Sequence, residues 1–128
     1  MTNLRVLIYV ESRYKVDRKR MKKALAETLT ANSVTTPVEI SVAVVGDRKM
    51  KSLNLKYRNL DKTTNVLSFS QNEGEKTVVP NDIARLGDII ISYPQVVRES
   101  ARDEMLIDEK VDQLLKHSLL HLLGIHHE

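Results

Sequence analysis

The chain has 128 residues, of which 41% are hydrophobic and 29% are charged. That balance is typical of one globular domain that buries its own core. Because there is no cysteine, the composition excludes a disulfide scaffold, a thiol nucleophile and a thiolate metal site. No stretch is apolar for long enough to span a membrane or to form a secretory signal. We therefore expect a cytoplasmic protein without a membrane partner.

Positive charge is concentrated in the first half of the chain. Residues 1–62 hold 14 Lys and Arg against 6 Asp and Glu, whereas residues 63–128 hold 6 against 11. A basic half suits a polyanionic partner, because Lys and Arg displace counterions from phosphate groups. The alternative is a solvated helix face, especially for the cationic run at residues 18–23.

Strand-like and helix-like segments alternate along the chain. In order, they are a buried strand from Leu4 to Val10, a helix from Asp17 to Ala31, a strand from Val38 to Val45, a helix capped by Asp47, a strand from Val66 to Ser70, an irregular segment from Gln71 to Leu86, a strand from Ile89 to Tyr93, a helix opened by Pro94 and a helix from Ile107 to Leu123. The strands are rich in β-branched residues, and the helices carry apolar stripes. The pattern predicts an α+β fold: one domain, residues 1–128, with a mixed sheet of about four strands packed with helices.

The last helix carries the most specific signal. His117 and His121 are four residues apart and therefore lie on one helix face. Gly124 suits the C′ position, where the chain leaves the helix, and His127 follows. The spacing equals that of the extended zincin motif, and three imidazoles with one open position suit a single catalytic Zn²⁺ per chain. The alternative is a pair of hydrogen-bonded core histidines. The surrounding leucines, however, offer no hydrogen-bond partners for two buried imidazole rings.

Two other positions bear on the chemistry of such a site. A zincin peptidase needs a glutamate directly after the first histidine, and Ser118 stands there, which disfavours peptide hydrolysis. Ser118 is instead expected to be a small residue that permits a close approach. Arg58 is a candidate cation for stabilising charge on a phosphate, although an ordinary exposed arginine at a helix end fits its position equally well.

Together these motifs resemble the YbeY family of bacterial rRNA-maturation endoribonucleases. The first block of the resemblance comprises Leu53, Asn54, Tyr57, Arg58 and Asp61, and the second comprises Thr64, Val66, Leu67, Ser68 and Phe69. Leu86, Gly87, Asp88 and Ile89 match a third block, and the terminal motif is matched by His117, Leu120, His121, Leu122, Gly124 and His127. Four ordered blocks are more specific than the histidine pattern alone.

The resemblance implies zinc ligation by His117, His121 and His127, with Arg58 as the catalytic arginine that faces the substrate. It also implies substrate contacts from Tyr57 and Ser68. The implied activity is single-strand-specific cleavage of RNA in rRNA maturation and ribosome quality control. The expected partners are an rRNA precursor and the ribosome or its small subunit; no DNA partner is expected.

The chain departs from the family pattern at several positions. Asn65 and His126 stand where the family has Asp, and His126 competes with His127 for the role of third ligand, although the family spacing favours His127. Asp88 is a candidate for orienting an imidazole, and the alternative is a strand-end aspartate that bonds local backbone amides. The missing carboxylates motivate a second hypothesis, a non-catalytic zinc-binding factor on the ribosome. A peptidase without its glutamate is a third.

Overall fold

Four strands and four helices make up the computed structural model, which describes residues 4–70 and 83–124. In chain order they are β1 (Leu4–Val10), α1 (Arg18–Ala31), β2 (Val38–Val45), α2 (Asp47–Arg58), β3 (Val66–Ser70), β4 (Ala84–Ser92), α3 (Tyr93–Arg102) and α4 (Ile107–Leu122). Within these residues, no helix is both long and apolar enough to cross a bilayer. The bounds of most predicted helices and strands agree with the observed ones within a residue or two.

The strands form one mixed sheet in the order β1-β2-β4-β3. β1, β2 and β4 are parallel, whereas β3 runs antiparallel to β4 and forms one edge. Each parallel neighbour is reached by a crossover, as parallel pairing requires. The predicted α+β class with a mixed four-stranded sheet is confirmed.

The helices cover the two faces of this sheet unequally. The main core lies between one face and α1, α3 and α4, with Leu25, Leu115 and Leu119 fully buried. A smaller cluster on the other face joins Met50 of α2 to Val45 and Leu67. As a result α2 and α4 lie on opposite faces, and both lie close to the β3 side of the sheet.

Two predicted strands differ from those observed. β1 was expected to be buried, but Leu7 and Tyr9 are 47% and 62% exposed. The reason is that β1 is an edge strand, and the hydrophobic cluster under α2 includes no residue of β1. β4 begins at Ala84, five residues before the predicted start. Pairing with both β2 and β3 extends β4 through a segment whose local sequence is irregular.

Gly87 of β4 permits a close approach of β3 and α4. Its φ is +148°, a backbone conformation that favours glycine. A Cβ there would lie 2.1 Å from the carbonyl oxygen of Phe69 and 3.0 Å from Cδ2 of Leu122. The missing side chain therefore lets the edge strand and the end of α4 pack against each other.

Asp47 has a different role from the one predicted. It is the first residue of α2, and Gly46 occupies the N-cap position. The Asp47 carboxylate accepts hydrogen bonds from Ser92 Oγ at 2.9 Å, from Thr63 Oγ1 at 3.0 Å and from Arg98 Nη2. It thereby joins the start of α2 to the end of β4, to α3 and to the loop before β3.

The environment of Asp47 stabilises its charged form. Burial raises the pKa of this carboxyl, but hydrogen bonds from Arg98, Ser92 and Thr63 outweigh burial and hold the pKa below its ordinary value of 3.8. A lowered folded-state pKa contributes stability that is complete above the unfolded-state pKa. That contribution is lost as the pH falls through the folded-state pKa.

We expect Asp47→Asn to lower the free energy of unfolding by about 1 kcal/mol near pH 7, because an amide accepts the Arg98 hydrogen bond less strongly. The side chain is 36% exposed, so water screens part of the effect. Urea unfolding at pH values between about 7 and 3 should show the two proteins converging below about pH 4. Asp61→Asn is the control, since Asp61 is exposed and pairs with Lys51 across 3.6 Å. If Asp47→Asn lowered the free energy of unfolding equally at both ends of the pH range, this account would be contradicted.

Gly87→Ala should destabilise the fold by about 2–4 kcal/mol, because both the backbone conformation and the Cβ clash must be relieved. Gly124→Ala is a matched control: its φ is +79° and a Cβ there meets nothing within 4 Å. Its cost should be about 1 kcal/mol, from the left-handed backbone alone. Similar midpoints of thermal unfolding for the two variants would show that Gly87 does not govern the packing of β3 against α4.

Candidate functional site

The end of α4 matches the sequence-based expectation closely. The helix ends at Leu122, Leu123 is its C-cap, and Gly124 follows in a left-handed conformation. The Gly124 amide donates to the carbonyl of His121 at 3.0 Å. His117 is exposed and His121 is half-buried, one helical turn further on. The two imidazoles thus belong to one side of the last turns of the helix.

The third predicted ligand cannot be placed in the same way. His127 and its competitor His126 lie outside the described residues. Over residues 4–70 and 83–124, no three His, Asp or Glu side chains are grouped as a metal site requires. The described part of the chain therefore supplies two of the three predicted ligands, and the choice between His126 and His127 stays a prediction.

Ser68 of β3 holds His121 in place. The Ser68 hydroxyl lies 2.7 Å from Nδ1 of His121, and this contact orients the ring. Histidine ligands in metal sites are commonly oriented through their other nitrogen in this way. The two described imidazoles are donors of the type that zinc accepts. Ser68 was expected to bind substrate, and the structure places its side chain against a candidate ligand.

Arg58 reaches the same strand from the other face of the sheet. It is the last residue of α2, and its Nη2 donates to the carbonyl oxygen of Ser68 at 3.0 Å. Its guanidinium lies over the Phe69 ring, 4.6 Å from the centroid. Tyr57 is 51% exposed and packs edge-on against Phe69 at 5.2 Å. β3 thus brings Arg58, Tyr57 and His121 into one neighbourhood.

Asp88 is not placed to orient the histidines. Ser68 pairs with Ile89, which faces α4, so the adjacent Asp88 lies on the opposite face of the sheet. There its carboxylate accepts a hydrogen bond from Ser41 and lies 3.6 Å from Arg85. Asp88 also lies inside β4 instead of at a strand end. Both predicted roles are corrected: Asp88 links β4 to β2.

Asn65, a departure from the family pattern, and Ser118, which stands where a zincin peptidase has glutamate, are both engaged in packing. The Asn65 amide donates to Glu99 Oε1 at 2.9 Å, and Lys110 lies 3.7 Å from the same carboxylate. Sequence reasoning missed this group, since no motif marks Glu99 or Lys110. Ser118 is 1% exposed, and its hydroxyl has no partner among the described residues. Its burial agrees with the expectation of a small residue at a close approach.

Comparison with known proteins agrees with this geometry. Residues 8–128 match the family described as Endoribonuclease YbeY. Proteins named endoribonuclease YbeY include one from Roseiflexus castenholzii, 40% identical over 114 residues, which cover 88% of this chain and 72% of the relative. Another, from Acinetobacter baylyi, is 39% identical over 111 residues, covering 87% of this chain and 70% of the relative.

A solved structure shows the same fold. The solution structure of TM1509 from Thermotoga maritima superposes with a TM-score of 0.60 at 22% identity, covering 98% of this chain and 75% of that chain. The fold, the order of the motifs and the extent of the sequence match lead to one conclusion. This chain belongs to the YbeY family.

Proposed function

We propose that the chain is a zinc-dependent endoribonuclease that cleaves single-stranded RNA. Its family and its relatives, named as endoribonucleases, support the activity. The observation that carries the site is the double contact of Ser68, whose hydroxyl meets His121 and whose carbonyl accepts from Arg58. A candidate metal ligand and a fixed cation are thereby held beside the same strand.

His117, His121 and His127 would hold one zinc ion. When bound, zinc supplies Lewis-acid activation of a phosphodiester at neutral pH. His121 would bind through Nε2, because Ser68 occupies its Nδ1. Nickel, cobalt and copper also accept imidazole ligands, and we propose zinc because three histidines with an open position are typical of it.

Arg58 is proposed to stabilise the charge that develops on the reacting phosphate. The Ser68 carbonyl and the Phe69 ring fix the guanidinium before substrate arrives, so little reorganisation is needed when charge develops. Tyr57 presents an exposed ring beside Phe69 for stacking with a nucleobase. These residues form the substrate side of the site.

We further propose that the substrate is an rRNA precursor and that the protein acts in the cytoplasm, at the ribosome or its small subunit. Cleavage by water and attack by the RNA's own 2′-hydroxyl are both compatible with this arrangement. A non-catalytic zinc-binding factor remains the alternative function, motivated by the amide of Asn65 at a position where the family has a carboxylate.

Arg58→Ala separates the two functions. We expect cleavage of single-stranded RNA to fall by about 100-fold or more, because a preorganised charge is removed, while zinc content and thermal stability stay near those of the parent. Arg102→Ala is the control, since Arg102 is an exposed arginine that pairs with its neighbour Asp103. Unchanged cleavage in Arg58→Ala would favour the non-catalytic function.

Ser68→Ala tests the metal site without relying on activity. We expect zinc affinity to fall by about 10- to 100-fold, because the His121 ring loses its orienting partner. Competition with a chromophoric chelator measures the affinity, and elemental analysis should find about one zinc per chain in the parent and none in His121→Ala. Ser41→Ala is the matched control, since it removes a strand hydroxyl that bonds Asp88. If both serine variants bind zinc like the parent, Ser68 does not position a ligand.

A further inference from the structure

The outer surface of α2 carries a dense group of positive charges. The twelve residues of the helix include one acid, Asp47, and five cations: Arg48, Lys49, Lys51, Lys56 and Arg58. All five cations are exposed, and we refer to them as the cationic stripe. The stripe ends at Arg58, the arginine proposed to face the reacting phosphate.

Little of this charge is neutralised inside the protein. Lys51 lies 3.6 Å from Asp61, a side chain that is 71% exposed, so the pair is weak. Asp47 is already engaged by Arg98. Within residues 4–70 and 83–124, Arg48, Lys49 and Lys56 form no ion pair. Arg48, Lys49 and Lys56 of the cationic stripe therefore keep their charge for an outside partner.

The basic run of α1 is different, although it is more conspicuous in the sequence. Arg20 is bound to Asp112 of α4 at 2.9 Å, with Asp108 and Glu109 adding to its electrostatic stabilisation. Arg18 donates to the carbonyl of Ile8 at 2.9 Å. Asp112 of α4 thus offsets the charge of Arg20. Beside α2, the acidic neighbours are Asp61, which pairs weakly with Lys51, and Glu11, which lies near the start of the helix.

The shape and side chains of this surface suit a single RNA strand. At 1.5 Å per residue, α2 is about 18 Å long, enough to lie along several consecutive nucleotides of one strand. At the start of α2 lies a groove of about 640 Å³, where Arg13 joins Arg48 and Lys49, and where the acids Glu11 and Asp47 also contribute to the lining. Leu55 is exposed between the cations, and Tyr57 adds an exposed ring near the far end. Alternating cations and apolar groups match the phosphates and base faces of a single strand.

We propose that the cationic stripe of α2 is the binding track for RNA that extends beyond the reacting phosphate, running from Arg58 to the groove at the start of the helix. The inference rests on the proposed function, because that function places the scissile phosphate beside Arg58. It assigns strand binding to α2 and not to the basic run of α1.

Two triple variants with equal loss of charge test the track. One carries Arg48→Gln, Lys49→Gln and Lys56→Gln, and the matched control carries Lys19→Gln, Lys22→Gln and Lys23→Gln on α1. Fluorescence anisotropy of zinc-loaded protein with a labelled 12-nucleotide 2′-O-methyl RNA, which resists cleavage, measures the dissociation constant over a range of salt. We expect the α2 variant to raise Kd by about 10- to 100-fold and to lower the salt slope by about 2, at about 0.7 per phosphate contact. The α1 variant should change Kd by less than about 3-fold.

Equal weakening by the two triple variants would overturn the inference, because net charge alone would then explain binding. Parent-like binding by the α2 variant would overturn it as well. Cleavage of unmodified RNA by the parent protein is measured in parallel. If the parent cleaves no RNA while binding still depends on α2, the proposed function fails and the track stands. If the parent cleaves RNA while the α2 variant binds normally, the track alone fails.

Discussion

The site depends on one residue of the edge strand, Ser68. Its side chain meets His121 on one face of the sheet, and its backbone carbonyl accepts from Arg58, which arrives from the other face. These contacts require β3 to lie directly beneath the end of α4. Gly87 makes that possible, because any side chain there would collide with β3 and α4. Close packing at the sheet edge is therefore what joins the candidate metal ligand to the candidate catalytic cation.

The other end of α2 is held just as specifically. Asp47 binds groups from β4, α3 and the loop before β3, so α2 begins at a fixed place over the second face of the sheet. A helix anchored there ends at Arg58 beside Ser68. The same anchoring sets the direction of the cationic stripe. Fold stability and the position of Arg58 are thus linked through one carboxylate whose pKa is lowered by its partners.

Charge in this protein shows why a cationic run in a sequence and a cationic surface are different things. The α1 run has more consecutive cations, yet α4 packs beside it and brings Asp112 to Arg20. The α2 cations are interrupted by apolar residues, but they share an exposed helix surface with few acids nearby. Attraction for a polyanion depends on the charge that remains after such internal pairing.

By itself, the sequence determined most of the helices and strands and the Gly124 helix end, and it marked His117, His121, Arg58 and Ser68 as candidate site residues. Periodicity, caps and motif spacing act over a few residues, so they can be read locally. The tertiary structure alone decided that β1 is an exposed edge, that Asp47 joins α2 to β4 and α3, and that Asp88 faces away from the histidines. It also decided that Ser68 orients His121, a contact across 53 positions. Such contacts depend on strand order and on which face each residue takes, and no local pattern records either.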